Sequence, residues 1–565
     1  MVFVSVFTGV TFTAFAEDTV YNAKRITIHP GIDDTYLNFS WFSEELADTA
    51  TVRIKAEGSD NWMTFTGISE AVKTTADGFQ QGYHDTFVKN CGHTCAATCG
   101  HEACTASQCY HGTYTDPYYN WVTVSGLEYG VEYIYQLGDG TNWSKEYNTH
   151  IADSDPNEGF SYLVFGDSQT ADQYYGDYMK KALELSLDKF SDVDFLMNLG
   201  DNVHENNNRD YNAYFTSQDI LAEYPIAVVL GNHEQNLNKG AIKDLPAVKF
   251  GNSPATDNRM DYWFRYGDVL FITFNSGPQV TSMMEDLDKL ITDAKAAHPD
   301  ARWTILQTHQ GFYSNNGGGK VWRKDFTSVF QKHDIDLVFN GHHHMYTRTE
   351  SLLYDSSLKC SHDKASPVFS CAACSGYVEP LGENDVTVKE TFVGGTKINN
   401  ETYEELEGVE YDKTVVRYDP EGVTYVHLDS LTAEGHDQYA TVAGSSLAAT
   451  NAFSINTVAG QGAITKVTVG KDANGNDSLT VDTYWINNNG TPRITNKADI
   501  NLLNDDYIEE TPYDSYTIVK TTPVKDIEVT FDGGTDRGIF TRRINSGETV
   551  ALFLPSPNEG RKNSA

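Results

Sequence analysis

The chain has 565 residues, enough for three or four domains, and its 79 acidic against 41 basic residues give a formal net charge of −38. That acidic excess argues against non-specific binding to nucleic acid or to an anionic membrane, and the sequence shows no nucleic-acid-binding module. No run after the first sixteen residues is long and apolar enough to form a transmembrane segment.

The N-terminal segment has the pattern of an export signal. Residues 1–16 are apolar and end in Ala14-Phe15-Ala16, an A-x-A cleavage pattern, although a basic beginning is missing. We therefore predict a signal peptide, truncated at its start, and a secreted protein that could associate with a cell wall or cell surface. A buried N-terminal strand is the alternative.

Residues 18–150 are predicted to form a β-sandwich. Apolar and polar side chains alternate in Leu37-Asn38-Phe39-Ser40-Trp41, in residues 51–55 and in residues 121–124, as expected for half-buried strands. The segment Gly126 to Tyr135 has the Gly-Leu, turn and Tyr-x-Tyr pattern of a fibronectin-III-like domain. The predicted sandwich carries an insertion over residues 80–115.

Cysteines concentrate in two predicted insertions, residues 80–115 and 355–415. The first holds five and the second three, namely Cys91, Cys95, Cys99, Cys104, Cys109, Cys360, Cys371 and Cys374. Export favours disulfides, whereas the histidines among the first five also suit a structural zinc ion. Both interpretations stay open.

Residues 155–505 alternate between strand and helix patterns and predict an α/β domain. Helical spacing recurs over residues 178–187, 284–291 and 325–333, and residues 479–486 predict a strand that closes the same domain. Residues 510–565 are predicted to form the start of a separate, β-rich C-terminal module.

Five short segments of this domain end in metal-binding residue types, and most of them follow an apolar run. The segments are Gly166-Asp167, Gly200-Asp201, Gly231-Asn232-His233-Glu234, Thr308-His309 and Gly341-His342-His343-His344. An α/β sheet places such side chains together at the carboxyl ends of its strands. Oxygen and imidazole donors without thiolate indicate a two-metal hydrolytic centre.

The ordered series resembles the motifs of the calcineurin-like metallophosphoesterases, and among them it is most similar to the purple acid phosphatase branch. The resemblance spans about residues 155 to 505 and includes the preceding fibronectin-III-like domain. It implies a β-sandwich core flanked by helices, and hydrolysis of a phosphorylated small molecule or ester by attack of a metal-bridging hydroxide.

The resemblance also implies a role for each motif residue. Asp201 would bridge two metal ions. Asp167 and His344 would bind the first ion, and Asn232, His309 and His342 the second. His233 would face the substrate as the catalytic acid, Glu234 would support the ligands by hydrogen bonds, and His343 would face away from the centre.

Two positions depart from the family pattern at the first metal ion. His204 stands where the purple branch has an iron-binding tyrosine, and Gln169 stands where the wider superfamily has a histidine ligand. We expect His204 to replace the tyrosine as a ligand, with a supporting or exposed histidine as the alternative. Imidazole in place of phenolate favours a divalent ion such as Zn, Mn or Fe(II) over Fe(III).

Tyr313 and Tyr346, which follow the fourth and fifth motifs, are expected to contact the substrate. The predicted activity is that of an acid phosphatase-like phosphoesterase. The alternatives are a phosphodiesterase or nucleotidase of the same fold, and a non-catalytic surface-binding protein.

Overall fold

The structure is a computed structural model, and it describes residues 20–71, 118–204, 208–234, 261–276, 283–313, 320–355, 376–398, 402–432, 453–455, 462–488 and 506–521. The expected signal peptide, the Cys/His-rich insertion, all eight cysteines and residues 522–565 lie outside these ranges.

The first described unit is a β-sandwich of two four-stranded antiparallel sheets, with strand orders β1-β2-β6-β5 and β4-β3-β7-β8. Its strands are β1 Lys24–Pro30, β2 Tyr36–Ser43, β3 Thr51–Ala56, β4 Met63–Thr66, β5 Ile68–Ala71, β6 Tyr118–Ser125, β7 Tyr133–Gly138 and β8 Tyr147–Thr149. Side chains such as Phe39, Trp41 and Val52 are fully buried between the two sheets. The three alternating patterns, at residues 37–41, 51–55 and 121–124, fall on β2, β3 and β6, and the N-terminal sandwich is confirmed.

Two larger sheets form the second unit within the described ranges. The nine-stranded first sheet contains β9 Phe160–Phe165, β10 Phe195–Asn198, β11 Ile226–Val228, β19 Val386–Ile398, β20 Thr402–Tyr418, β23 Gly462–Lys471, β24 Asp477–Asn488, β25 Asp506–Ile508 and β26 Asp514–Lys520. The seven-stranded second sheet contains β12 Tyr262–Tyr266, β13 Val269–Phe274, β14 Trp303–Thr308, β15 Leu337–Asn340, β16 Tyr346–Arg348, β21 Thr424–His427 and β22 Phe453–Ile455. A short pair, β17 Leu352–Leu353 and β18 Tyr377–Val378, lies apart from both sheets.

The two sheets pack face to face through aromatic side chains. The ring of Phe271 in β13 lies 5.3 Å from that of Tyr162 in β9 and 5.6 Å from that of Phe195 in β10. Neighbouring residues of β13, such as Ile272, belong to a second core on the opposite face of their sheet. Each of these central strands is therefore buried on both faces, as their continuous apolar sequences require.

Helices cover the outer faces of the two sheets. Those described are α1 Gln173–Lys189, α2 Asn208–Tyr214, α3 Gln218–Leu221, α4 Met283–Ala297 and α5 Lys320–Lys332, with a 3₁₀ turn at Phe215–Ser217. The Asp172 side chain caps α1 by accepting the backbone N–H groups of Tyr174 and Tyr175. All three helices predicted from periodicity are confirmed, and no described helix is both long and apolar enough to cross a bilayer.

Parallel pairing sets the position of the five motifs. Strands β9, β10 and β11 run parallel in the first sheet, and β13, β14, β15 and β21 run parallel in the second. The motifs follow β9, β10, β11, β14 and β15, so they meet at the carboxyl ends of both sheets.

The C-terminal boundary expected from the sequence is wrong. Strand β26, placed by the sequence in a separate module, pairs with β24 and β20 in the middle of the first sheet. The segment expected to be an insertion also contributes, because β19 and β20 form a hairpin that joins the same sheet. The pairing partners of β26 lie far away in sequence, so local patterning could not reveal them.

The N-terminal sandwich contacts the segment that leads into β11. The Tyr135 hydroxyl donates to the Ala222 carbonyl at 2.5 Å, and His29 Nδ1 lies 2.8 Å from the Ile226 carbonyl. Because a carbonyl only accepts, the His29 proton must sit on Nδ1. The sandwich thus holds the strand that leads to Asn232.

A buried ion pair joins the two large sheets and yields a first prediction. Arg348 in β16 donates to Asp514 in β26 at 2.7 and 2.9 Å, and both side chains are at most 1 % exposed. Asp514→Ala would remove the closest counter-charge of the buried guanidinium and leave only the more distant Glu350 Oε1, 3.9 Å from Nη1, among its ion pairs in the described ranges. We expect the free energy of unfolding to fall by about 3–5 kcal/mol, measured by urea unfolding.

A matched control is Asp192→Ala, which removes the exposed partner of Lys466 and should cost less than about 1 kcal/mol. Equal losses in the two variants would contradict the structural role assigned to Asp514.

Candidate metal centre

Six candidate ligands meet at the seam between the two large sheets. The first sheet supplies the oxygen donors and the second sheet supplies the imidazoles. Asp167, Asp201 and Asn232 follow β9, β10 and β11, whereas His309, His342 and His344 follow β14 and β15. A cation bound here would therefore connect both halves of the domain.

The second metal position has the tighter arrangement. His309 Nε2 lies 3.1 Å from Asp201 Oδ2 and 3.0 Å from Asn232 Oδ1. Ligand atoms of Asp201, His309 and His342 all lie within 4.8 Å of one another. His309 Nδ1 donates to the Leu199 carbonyl at 2.8 Å, so Nε2 is the ring nitrogen that faces the Asp201 carboxylate and that a bound cation would use.

The first metal position is built around Asp167, which is fully buried. Its two oxygens accept the backbone N–H of His342 at 2.9 Å each, and Oδ1 lies 3.6 Å from His344 Nε2. The Ser430 hydroxyl donates to the Asp167 carbonyl at 2.7 Å. Sequence reasoning missed Ser430, which follows β21 without any motif of its own.

Close approach explains the glycines that precede the ligands. A Cβ on Gly341 would overlap Asp167 Oδ2, and a Cβ on Gly231 would overlap Asp201 Oδ1. The backbone is also strained here. Seven non-glycine residues adopt a positive φ in the described ranges, and four lie at this centre: Asp167, Gln169, Asp201 and His342. Such conformations persist where the surrounding structure imposes them, often at functional sites.

Without a bound cation, the charges of the buried carboxylates and imidazoles in this cluster are poorly balanced. Burial, reinforced by the Asp201 carboxylate, holds the pKa of Asp167 well above its usual range. Against the effect of burial, the carboxylates of Asp201 and Asp167 raise the pKa of His309 to about 10. Burial, with repulsion from His309, lowers the pKa of His342 to about 3.

The residues present suit a pair of cations. Asp167 and Asp201 are buried side by side, and no described group hydrogen-bonds to the buried His342 Nδ1. Carboxylate, amide and imidazole donors without thiolate match Zn, Mn or Fe rather than a soft ion. A cation would offset the buried negative charge and occupy the imidazole lone pairs.

His233 lies beside the ligands and is partly open to solvent. Its backbone N–H donates to Asp201 Oδ1 at 2.9 Å, and its Nδ1 lies 2.5 Å from the His204 carbonyl. Nδ1 therefore carries a proton and donates it in a hydrogen bond to that carbonyl. Nε2 lies 3.8 Å from Asp201 Oδ2 and can interact with another partner. The side chain is 27 % exposed, so Nε2 can reach a bound molecule.

Two further motif residues lie where the sequence placed them. Glu234 is buried and accepts the backbone N–H groups of Asp201, Gly231 and Val203 at 3.0, 2.8 and 3.2 Å. It therefore ties the second motif to the third without being a ligand. The His343 ring stacks on His427, with 5.6 Å between centroids.

The two residues that depart from the family pattern are neighbours in space. His204 Nδ1 lies 3.3 Å from Gln169 Oε1, and Gln169 Nε2 lies 3.2 Å from His344 Nε2. His204 thus contacts Gln169, which in turn contacts the candidate ligand His344. Its expected role as a ligand stays a prediction.

The expected substrate contacts of Tyr346 and Tyr313 are wrong. Tyr346 is fully buried between the two sheets, where its hydroxyl bonds to Asp514. Tyr313 is 2 % exposed and packs against Tyr425 in the core beneath α5, with 4.5 Å between ring centroids. Each phenol is buried in the core and is therefore not available to a bound molecule.

Two family models match the chain. Residues 160–346 match the calcineurin-like phosphoesterase domain, and residues 23–151 match the N-terminal domain of purple acid phosphatases. The matched ranges coincide with the N-terminal sandwich and with the strands that carry the five motifs. The family resemblance seen in the sequence is confirmed.

Individual relatives are distant. Probable inactive purple acid phosphatase 24 of Arabidopsis thaliana is 27 % identical over 261 residues, which cover 39 % of this chain and 41 % of that protein. Fe(3+)-Zn(2+) purple acid phosphatase 12 of the same plant is 23 % identical over 296 residues, covering 47 % of this chain and 61 % of that protein. The chain thus spans about half the length of the curated relatives it matches.

A solved structure shares the fold. Purple acid phosphatase PPD1 from seeds of yellow lupin (Lupinus luteus) superposes with a TM-score of 0.54 at 16 % identity, covering 88 % of this chain and 75 % of that chain. At this identity the likeness concerns the fold alone.

The hydrogen bonds of Glu234 yield a prediction about metal binding. Glu234→Ala would release three backbone N–H groups that hold the second and third motifs together. We expect the affinity for the bound ions to fall about 10–100-fold, measured by competition with a chelator. Glu234→Gln keeps one acceptor oxygen and should lose less. Unchanged affinity in the alanine variant would contradict this supporting role.

Proposed function

We propose that this chain, which joins a calcineurin-like metallophosphoesterase domain to a purple acid phosphatase N-terminal domain, is a phosphoesterase with two metal ions at its centre. One observation carries the proposal: five strand ends from two sheets bring two buried carboxylates, an amide oxygen and three imidazoles together. Isolated residues of these types are common, but this convergence is not.

In this proposal the ligands divide between two positions that share Asp201. Asp167 and His344 belong to the first position, and Asn232, His309 and His342 belong to the second. Two divalent ions held there would polarise a phosphoryl oxygen and lower the pKa of water. Only two ligand carboxylates oppose four positive charges, so the centre attracts an anionic ester in spite of the acidic chain.

His233 is proposed to act on the leaving group. Its Nδ1 donates to the His204 carbonyl, which fixes the ring and directs Nε2 toward the open side of the centre. A protonated Nε2 can bind a phosphoryl oxygen or transfer its proton to the departing alkoxide. The backbone N–H of the same residue holds Asp201, so one residue orients both a ligand and the substrate.

The proposed ions are divalent. A relative carries Fe(3+)-Zn(2+) in its name. Here His204 replaces the phenolate that would favour Fe(III), so Zn, Mn or Fe(II) fits better. Secretion is proposed from the Ala14-Phe15-Ala16 pattern alone.

The first test is hydrolysis of an aryl phosphate monoester and the matching diester by the full chain, with metal analysis of the same sample. We expect about two ions per chain and faster turnover of the monoester. Asp201→Asn should lose metal and activity together, because a neutral amide cannot offset two cations. Preference for the diester would favour the phosphodiesterase alternative.

The role of His233 gives a separate prediction. His233→Ala should lower kcat about 10²–10⁴-fold while both ions stay bound, because the side chain donates a proton and is not a ligand. The matched control is His150→Ala, which removes a histidine that contacts Tyr224 and should keep full activity.

Two ions without turnover of either ester would favour a non-catalytic binding protein, and fewer than two ions would contradict the dinuclear centre itself.

A further inference from the structure

Gln169 is buried beside the first metal position and is held in an unusual conformation. The residue is 2 % exposed and its φ is +37°. Its backbone N–H donates to the Asp201 carbonyl at 2.8 Å, which couples it to the loop that carries the shared carboxylate. A strained backbone that is anchored in this way fixes where the side chain can reach.

The carboxamide of Gln169 spans two histidines. Its Nε2 lies 3.2 Å from His344 Nε2, and its Oε1 lies 3.3 Å from His204 Nδ1. His344 Nε2 is also the atom that faces Asp167, at 3.6 Å from Oδ1. A single amide group is therefore in contact with a candidate ligand at one end and with a supporting histidine at the other.

Occupation of the first position changes what this amide can do. Once His344 Nε2 gives its lone pair to a cation, it no longer accepts an N–H from Gln169. A half-turn about the last side-chain bond exchanges oxygen and nitrogen with almost no change in shape. The oxygen would then take the place of Nε2, 3.2 Å from His344 Nε2, where both atoms could bind the same ion.

We propose that Gln169 supplies its amide oxygen to the first metal ion, beside Asp167, Asp201 and His344, and that His204 positions it by accepting its N–H. This inference rests on the dinuclear centre proposed above. It assigns His204 a positioning role in place of the ligand role expected from the sequence. Each metal position then contains one neutral amide oxygen, from Gln169 at the first and Asn232 at the second.

The proposed donor set predicts the kind of ion bound. Three oxygens and one imidazole at the first position favour a harder ion, such as Mn(II), over Zn(II). The second position has two imidazoles and two oxygens, and it suits Zn(II) better. The two positions should therefore differ in selectivity.

The test measures the number of bound ions and their affinities, and it does not depend on catalytic activity. Protein stripped with a chelator is titrated with Mn(II), followed by calorimetry and by electron paramagnetic resonance, which separates coupled from isolated Mn(II). The wild type should bind two coupled ions. Gln169→Met fills the same space without an oxygen donor, and it should bind one isolated ion or hold the second at least 100-fold more weakly.

Conservative variants of Gln169 and His204 distinguish a metal ligand from a residue that only positions the ligand. Gln169→Glu restores an oxygen at the same reach and should bind two coupled ions. His204→Ala should still bind two ions, with the first about 10-fold weaker, and His204→Asn should recover that loss because its amide oxygen can accept the same N–H. If Gln169→Met is unfolded in a thermal melt, Gln169→Ala takes its place.

The outcomes distinguish this inference from the proposed function. Two coupled ions at wild-type affinity in both Gln169→Met and Gln169→Ala would overturn the role of Gln169. Loss of one ion in His204→Ala, with two retained in Gln169→Met, would identify His204 as the ligand. Fewer than two ions in the wild type would instead overturn the dinuclear centre.

Discussion

The domain is organised around two carboxylates, Asp167 and Asp201, that are buried next to each other at the seam of two sheets. Burying like charges is unfavourable unless nearby groups compensate for the lost hydration. The protein partly compensates through the backbone N–H groups of His342 and His233 and through the charge on His309. A bound cation would complete the compensation, and metal binding would then be thermodynamically linked to folding. The positive φ angles and the glycines beside the ligands follow from this arrangement, because they allow the backbone to approach both carboxylates.

Sequence patterns predicted the centre better than its surroundings. Each motif follows a strand with a strong local signal, and parallel pairing brings strand ends together, so the motifs predicted which side chains would lie close to one another. The division of six of these residues between two metal ions came from the family resemblance and stays a prediction. Long-range pairing has no such signal. The alternating sequence of β26 fits an edge strand of a new module as well as a strand of the first sheet, and its ion pair with Arg348 involves residues 166 positions apart. Tyr346 illustrates the same difficulty, since adjacency to a motif does not determine which face of a short strand a side chain occupies.

The N-terminal sandwich supports the third motif in addition to forming its own core. Its hydrogen bonds to Ala222 and Ile226 fix the chain on either side of the turn into β11, and β11 leads directly to Asn232 and His233. Glu234 then connects that motif to the Asp201 loop. The sandwich is thus connected to the candidate ligands through these hydrogen bonds and through the chain from β11 to Glu234. Loss of this contact would loosen the second metal position before the first, because Asn232 belongs to the second.

The separation of oxygen and nitrogen donors between the two sheets has a consequence for biosynthesis. The oxygen donors precede the imidazoles in the chain, and His309 follows Asn232 by 77 residues. A nascent polypeptide that has emerged as far as β11 offers only hard donors, which suit abundant magnesium more than a transition metal. In the proposed centre, selectivity for a transition metal would therefore arise only after β14, β15 and the histidines that follow them have been synthesised. The free metals of the cell compartment in which those strands fold would then determine which ions the proposed centre binds.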